Sequence, residues 1–227
     1  MWYNSSGEMI VRDEQKRVID FILENKEYYK EYLNPNIMKK INYGYTSDVN
    51  QIYCHLGFKK IENTDYYEFY KIIKENFGIT NKRIIDVACG LIPIVSYIIK
   101  LNENCYIKAA DKRIIFKNYK NIPTEEIDLT KDYNIEDYDL IIGFRPCYVT
   151  ENIIIQALKN NKDFCIYMCP CILKPSDNHF KGRWSKKRWY KYLESLIVNN
   201  RNYDLKIITS KYLDDNCPVF IGKYKKQ

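Results

Sequence analysis

The chain has 227 residues, 46% hydrophobic and 29% charged, with a formal net charge of +7. That length supports one sizeable core with a small appended subdomain, and the composition is globular rather than disordered. The longest apolar runs, Ile92–Ile99 and Leu140–Phe144, fall well short of the roughly 20 residues that span a bilayer, which excludes a helical membrane protein.

The start, Met1 to Gly7, carries no basic flank and no apolar stretch, so no signal peptide is expected. Of the eight cysteines, Cys89, Cys165 and Cys169 lie in or beside apolar segments, where cysteine packs as a small hydrophobe. A reducing cytoplasm is the expected setting. The positive balance favours an anionic partner, although abundant Lys, Ile, Asn and Tyr are also what an AT-rich genome produces.

The first 80 residues read as a helical region. Val18, Phe21, Ile22, Tyr29 and Leu33 follow a 3.6-residue period over Asp13–Leu33, and Asn34-Pro35 ends that helix. A less regular stretch follows. Thr64 then caps a helix to Phe77, closed by Gly78.

From residue 81 to 227, strands alternate with helices. Strands are predicted at Arg83–Ala88, Tyr106–Ala110, a short one ending at Ile127-Asp128-Leu129, Asp139–Phe144, Phe164–Met168, Leu205–Thr209 and Val219–Lys223. Helices are predicted from Pro93, from Thr150 and from Ser185. Nearly all-apolar strands separated by helices imply a doubly wound α/β fold. The expected sheet has seven strands, mainly parallel with an antiparallel last strand, and the helical extension precedes it.

Ile84-Ile85-Asp86-Val87-Ala88-Cys89-Gly90 resembles the first motif of the class I, Rossmann-like S-adenosylmethionine-dependent methyltransferases. There a small-residue turn after the first strand lets backbone approach the cofactor. The resemblance implies that Asp86, Ala88, Cys89 and Gly90 shape the methionine side of a cofactor site. Ala88 replaces one turn glycine of the motif, and Ile92 stands where another is common. Asp111, 25 residues beyond Asp86, is then the expected ribose acceptor, with Lys112 beside it. Asp128-Leu129 is expected near the adenine, and Gly143 at the point where substrate meets cofactor. The likeness covers residues 82–225, about two-thirds of the chain. Dehydrogenases are disfavoured, because Gly-x-Gly-x-x-Gly is absent, as is any Walker phosphate loop.

After the fourth strand comes Arg145-Pro146-Cys147-Tyr148. Amino-group methyltransferases of nucleic acids carry Asp/Asn-Pro-Pro-Tyr/Phe there, and Arg145 cannot accept the amine hydrogen bond. Pyrimidine C5-methyltransferases use a Pro-Cys pair, which makes Cys147 a candidate nucleophile with Arg145 as a neighbouring cation. A structural cysteine is the competing reading. Gly143–Cys147, Thr150-Glu151 and Cys169-Pro170-Cys171 also resemble a group of poorly characterised methyltransferase domains related to RNA methyltransferases. Cys147, Cys169, Cys171 and His179 all sit near strand ends. No Cys-x-x-Cys pair is present and Cys-Pro-Cys is an awkward chelate, so no metal is expected.

The segment His179–Tyr192 contains six basic residues and no acidic one. Cations neutralise phosphates while flat rings stack on bases, so Arg145, Phe180, Lys181, Arg183, Trp184, Lys186 and Lys187 are the expected substrate contacts, with RNA as the expected partner. Trp189, Tyr192, Leu193, Leu196 and Ile197 form one helical stripe, which places Trp189 in the core. Three readings stay open: a methyltransferase acting on tRNA or rRNA, a small-molecule methyltransferase, and a non-catalytic binding module.

Overall fold

The computed structural model describes residues 13–43, 46–171, 173–175, 185–213 and 217–225. The chain divides into two compact units, with the boundary between Ile61 and Glu62.

The first unit is helical. α1 (Asp13–Glu24), a 3-10 turn (Lys30–Leu33), α2 (Pro35–Tyr43) and α3 (Thr46–His55) bury Val18, Ile22, Tyr32, Ile41 and Ile52 completely. The first helix ends at Glu24, well before the predicted Leu33. Asn25 turns its side-chain amide onto the Phe21 carbonyl at 2.9 Å, a local bond that competes with continuing the helix. Asn34 then accepts from the Asn36 amide at 2.9 Å, and Pro35 occupies the first turn, so the predicted stop signal also starts α2.

The second unit opens with α4 (Asp65–Phe77), which the sequence groups with the first 80 residues. Its aromatic stripe explains the placement. Tyr66 and Phe69 pack on Phe144 with ring centroids 4.4 and 5.7 Å away, and Phe69 also meets Tyr167. Gly78 takes the left-handed conformation, φ 55°, that terminates α4, its N–H returning to the Lys74 carbonyl.

The sheet contains β1 (Arg83–Val87), β2 (Tyr106–Ala110), β3 (Thr124–Glu125), β4 (Leu140–Phe144), β5 (Asp163–Tyr167), β6 (Tyr203–Ile208) and β7 (Val219–Tyr224). Their order is β3-β2-β1-β4-β5-β7-β6. β1 to β5 run parallel, while β7 runs antiparallel to both β5 and β6, as the missing helix between the last two strands implies. α5 (Ile94–Asn102), α6 (Thr150–Lys159) and α7 (Lys186–Val198) connect the strands.

β3 is only two residues long and lies upstream of the predicted Ile127–Leu129. Asp128 accepts from the Thr130 amide and hydroxyl instead, a turn that withdraws this segment from the ladder. One strand in from the other edge, a Cβ on Gly222 would lie 2.1 Å from the Phe164 ring, so β7 packs against β5 only because that position lacks a side chain. No described helix is long and apolar enough to cross a membrane.

β1 pairs with β2 on one side and β4 on the other. Connections therefore leave the sheet in opposite directions at the carboxyl ends of β1 and β4. In open α/β sheets this reversal is where a ligand crevice forms.

Candidate active site

Asp86, near the carboxyl end of β1, is 1% exposed. The Ser96 hydroxyl, from the first turn of α5, donates to its Oδ2 at 2.6 Å, while its buried Oδ1 has no donor. Burial pushes this carboxyl up to about 7; hydrogen bonds from Ser96 pull it down, and the negative Asp111 pushes it up. The chain turns sharply after Val87. Ala88 at φ 58° and Gly90 at φ 82° both take the left-handed region. Gly90 adopts it without strain, whereas Ala88 holds its Cβ against the backbone at a cost of about 1 kcal/mol. Ala88→Gly is accordingly expected to raise stability by about 0.5–1 kcal/mol, measurable as a shift in denaturant midpoint at constant slope. Cys89 packs inward, 4% exposed, and burial drives its thiol well above the ordinary range.

Asp111 follows β2 and is 4% exposed. Its Oδ2 accepts from the Gly90 amide at 2.9 Å, and its Oδ1 from the Arg113 amide at 2.8 Å. The Arg113 guanidinium adds bonds of 3.2 Å to Oδ1 and 3.4 Å to Oδ2. The carboxylate therefore braces the Gly90 turn against β2. Lys112 is engaged elsewhere. Its ammonium lies 5.3 Å over the Tyr148 ring, and a hydrogen bond to Tyr148 raises its pKa. Asp128 is exposed and held below the ordinary carboxyl range by its bond from Thr130. Leu129 is buried, its carbonyl taken by the Asn152 amide at 2.7 Å. At Gly143 an added Cβ would meet nothing closer than the Val87 carbonyl at 3.5 Å, so packing within the protein does not demand glycine there.

No family model matches this sequence, and no curated protein matches it. The fold does have counterparts among solved structures. One is a putative S-adenosyl-L-methionine-dependent methyltransferase from Methanococcus maripaludis, at 16% identity and TM-score 0.52, covering 75% of this chain and 92% of that one. Another is the plantazolicin methyltransferase BpumL in complex with SAH, at 13% identity and TM-score 0.52, covering 93% and 99%. A third is phosphoethanolamine N-methyltransferase 2 of Haemonchus contortus in complex with S-adenosyl-L-methionine, at 10% identity and TM-score 0.54, covering 81% and 59%. The fold is that of the class I methyltransferases.

In that methyltransferase fold the segment after β4 carries Arg145, φ 52°, and Cys147, φ 51°, two left-handed residues that fold the chain back over β5. Arg145 has its guanidinium 3.2 Å from Asp65 of α4 and 2.8 Å from the Tyr167 hydroxyl, and 4.8 Å over the Tyr167 ring. Its side chain is 12% exposed, so it ties α4 to the strand ends rather than reaching outward to a substrate. Cys147 donates to the Cys169 thiol at 3.0 Å, with Cys171 3.9 Å away. Among its described partners there is no imidazole or carboxylate to act as its base.

Ser185 caps α7, accepting from the Arg188 amide at 3.2 Å, and Lys187 and Arg188 are exposed. Lys186 is half-buried, while Trp189 is 2% exposed and joins Leu193 and Ile197 in the core, as the helical stripe predicts. The first turn of α7 carries no acidic residue, so three cations sit at the positive end of the helix dipole. Phe180, Lys181, Arg183, Trp184 and His179 lie outside the described residues. Sequence reasoning missed Ser96, Arg113, Tyr148 and Asp65. Only Ser96 had a visible signal, as the hydroxyl residue in the first turn of the helix after the motif.

Proposed function

We infer that the chain is an S-adenosylmethionine-dependent methyltransferase whose acceptor is polyanionic, with RNA as the favoured substrate. The observation that carries the cofactor reading is the buried Asp86 Oδ1, an acceptor without a donor at the switch point of a methyltransferase fold. Asp86 and Asp111 place two carboxylates close together against one guanidinium, a charge balance that favours a cationic ligand. S-adenosylmethionine is such a ligand, and it supplies a methyl group on a positively charged sulfur.

Within that frame, Asp86 would accept the ammonium of the methionine part, and the tight turn from Ala88 to Gly90 would let it approach backbone. Asp111 would receive the ribose as Arg113 swings aside, and Asp128 would lie at the adenine. Methyl transfer requires in-line approach of the acceptor, so holding it beside Gly143 contributes much of the rate. The helical region within the first 80 residues would help select the substrate. The solved relatives crystallised with S-adenosylmethionine or SAH support the cofactor, and their acceptors differ from one another.

Calorimetry with S-adenosylhomocysteine tests the first part: one binding event per chain is expected, and absence of heat at millimolar ligand would leave only a non-catalytic module. The acceptor rests on the cationic end of α7. Reversing Lys186 and Lys187 to Glu is expected to weaken RNA binding and to flatten its dependence on log salt by about 1 for each phosphate no longer neutralised. RNA affinity indifferent to both changes would favour a small-molecule acceptor.

A further inference from the structure

The cysteines that follow β4 and β5 converge, although their sequence spacing matches no metal motif. The sulfurs of Cys147, Cys169 and Cys171 lie within 4.8 Å of one another, with Cys147 to Cys169 at 3.0 Å, Cys169 to Cys171 at 2.8 Å and Cys147 to Cys171 at 3.9 Å. We propose that these three thiols form a zinc site at the carboxyl ends of β4 and β5, with the fourth coordination position open to solvent or to an incoming ligand.

Local structure explains how three thiols meet. Cys169 and Cys171 stand two residues apart just beyond the end of β5, on either side of the bend at Pro170, with their sulfurs 2.8 Å apart. Pro170 between them has a fixed φ that limits their divergence. The left-handed Arg145 and Cys147 turn the neighbouring chain so that Cys147 reaches across to the same face. Both backbones are anchored from outside the cluster. The Thr150 hydroxyl donates to the Cys147 carbonyl at 2.7 Å, and the Tyr190 hydroxyl to the Cys169 carbonyl at 2.8 Å. Such supporting bonds are what orients ligands around a metal before it binds.

A tetrahedral zinc ion with Zn–S bonds of about 2.3 Å places its sulfurs about 3.8 Å apart, so seating the ion opens two edges of this triangle by about 1 Å or less. A disulfide would use two sulfurs and leave the third stranded against them. Binding converts three thiols to thiolates and releases three protons, giving a centre of net charge −1. Cys169 is 6% exposed and Cys171 is exposed, so the ion would be anchored inside and accessible from one side. The proposal rests on the sulfurs alone and is independent of cofactor binding.

The test uses the full chain, reduced, stripped of metal and titrated anaerobically with cobalt(II) as a spectroscopic probe. Expected are a thiolate-to-cobalt charge-transfer band saturating at one equivalent, its displacement by zinc, and a loss of zinc affinity of about 100-fold or more in Cys169→Ser. Cys171→Ser should weaken zinc in the same direction, and Cys105→Ser, at the foot of β2, should leave it unchanged. Absence of the band in folded wild-type protein would overturn the proposal, as would its retention in Cys169→Ser. In protein purified without reductant and then denatured, a disulfide mapped by peptide analysis to two of Cys147, Cys169 and Cys171 would also overturn it.

Discussion

Replacing Asp86 by Asn is expected to weaken S-adenosylhomocysteine binding about 10- to 100-fold, the 1.5–3 kcal/mol of a hydrogen bond to a charged group. The same change should stabilise the ligand-free chain above neutral pH. The ordinary carboxyl pKa of 3.8 is raised by burial to about 7 in the folded state, so the folded chain holds a proton that the unfolded chain has lost. Stability from this group is therefore complete below about pH 4 and declines as pH rises towards 7. Above that it costs up to about 4 kcal/mol, by linkage between the two pKa values. Asn carries no charge and removes this slope, at the cost of burying an amide, and a net gain of about 1–3 kcal/mol at pH 8 is expected. Ligand binding runs in the opposite direction. An ammonium needs the ionised carboxylate, so affinity for S-adenosylhomocysteine should rise about tenfold from pH 6 to pH 8 and be nearly flat in the variant. Thermal scans with and without ligand across that range measure both. Equal affinity at the two pH values would remove Asp86 from the binding site.

Asp65→Ala is expected to destabilise the chain by about 3 kcal/mol, because it leaves the Arg145 guanidinium buried without its carboxylate. The two side chains are 7% and 12% exposed, so solvent screens their interaction little. Asp65 also stands in the first turn of α4, where a carboxylate is favoured by the helix dipole, so part of the loss is local to that helix. The double change Asp65→Asn with Arg145→Met removes both charges and should recover most of the stability. Chemical denaturation of the single and double variants beside the wild type decides it. If the single variant loses less than about 1 kcal/mol, Arg145 is held mainly by its contacts with Tyr167.

The alternation of buried-type strands with amphipathic helices determined the doubly wound sheet from sequence alone, because period and burial leave their mark on every residue of an element. The turn from Asp86 to Gly90 was legible for the same reason, since a small-residue run after an apolar strand answers a backbone requirement. The core position of Trp189 followed from helical spacing. Other features were decided by partners remote in the chain. Asp65 and Arg145 are eighty positions apart, and only the packing of α4 on β4 and β5 makes them an ion pair. Asp111 carries the expected residue type at the expected strand end, yet tertiary structure gives its oxygens to Gly90 and Arg113. Cys-Pro-Cys matches no chelate by spacing, and its third thiol arrives from the adjacent strand through a left-handed turn. Periodicity is written locally, whereas the geometry that joins side chains across neighbouring strands exists only once the sheet has formed.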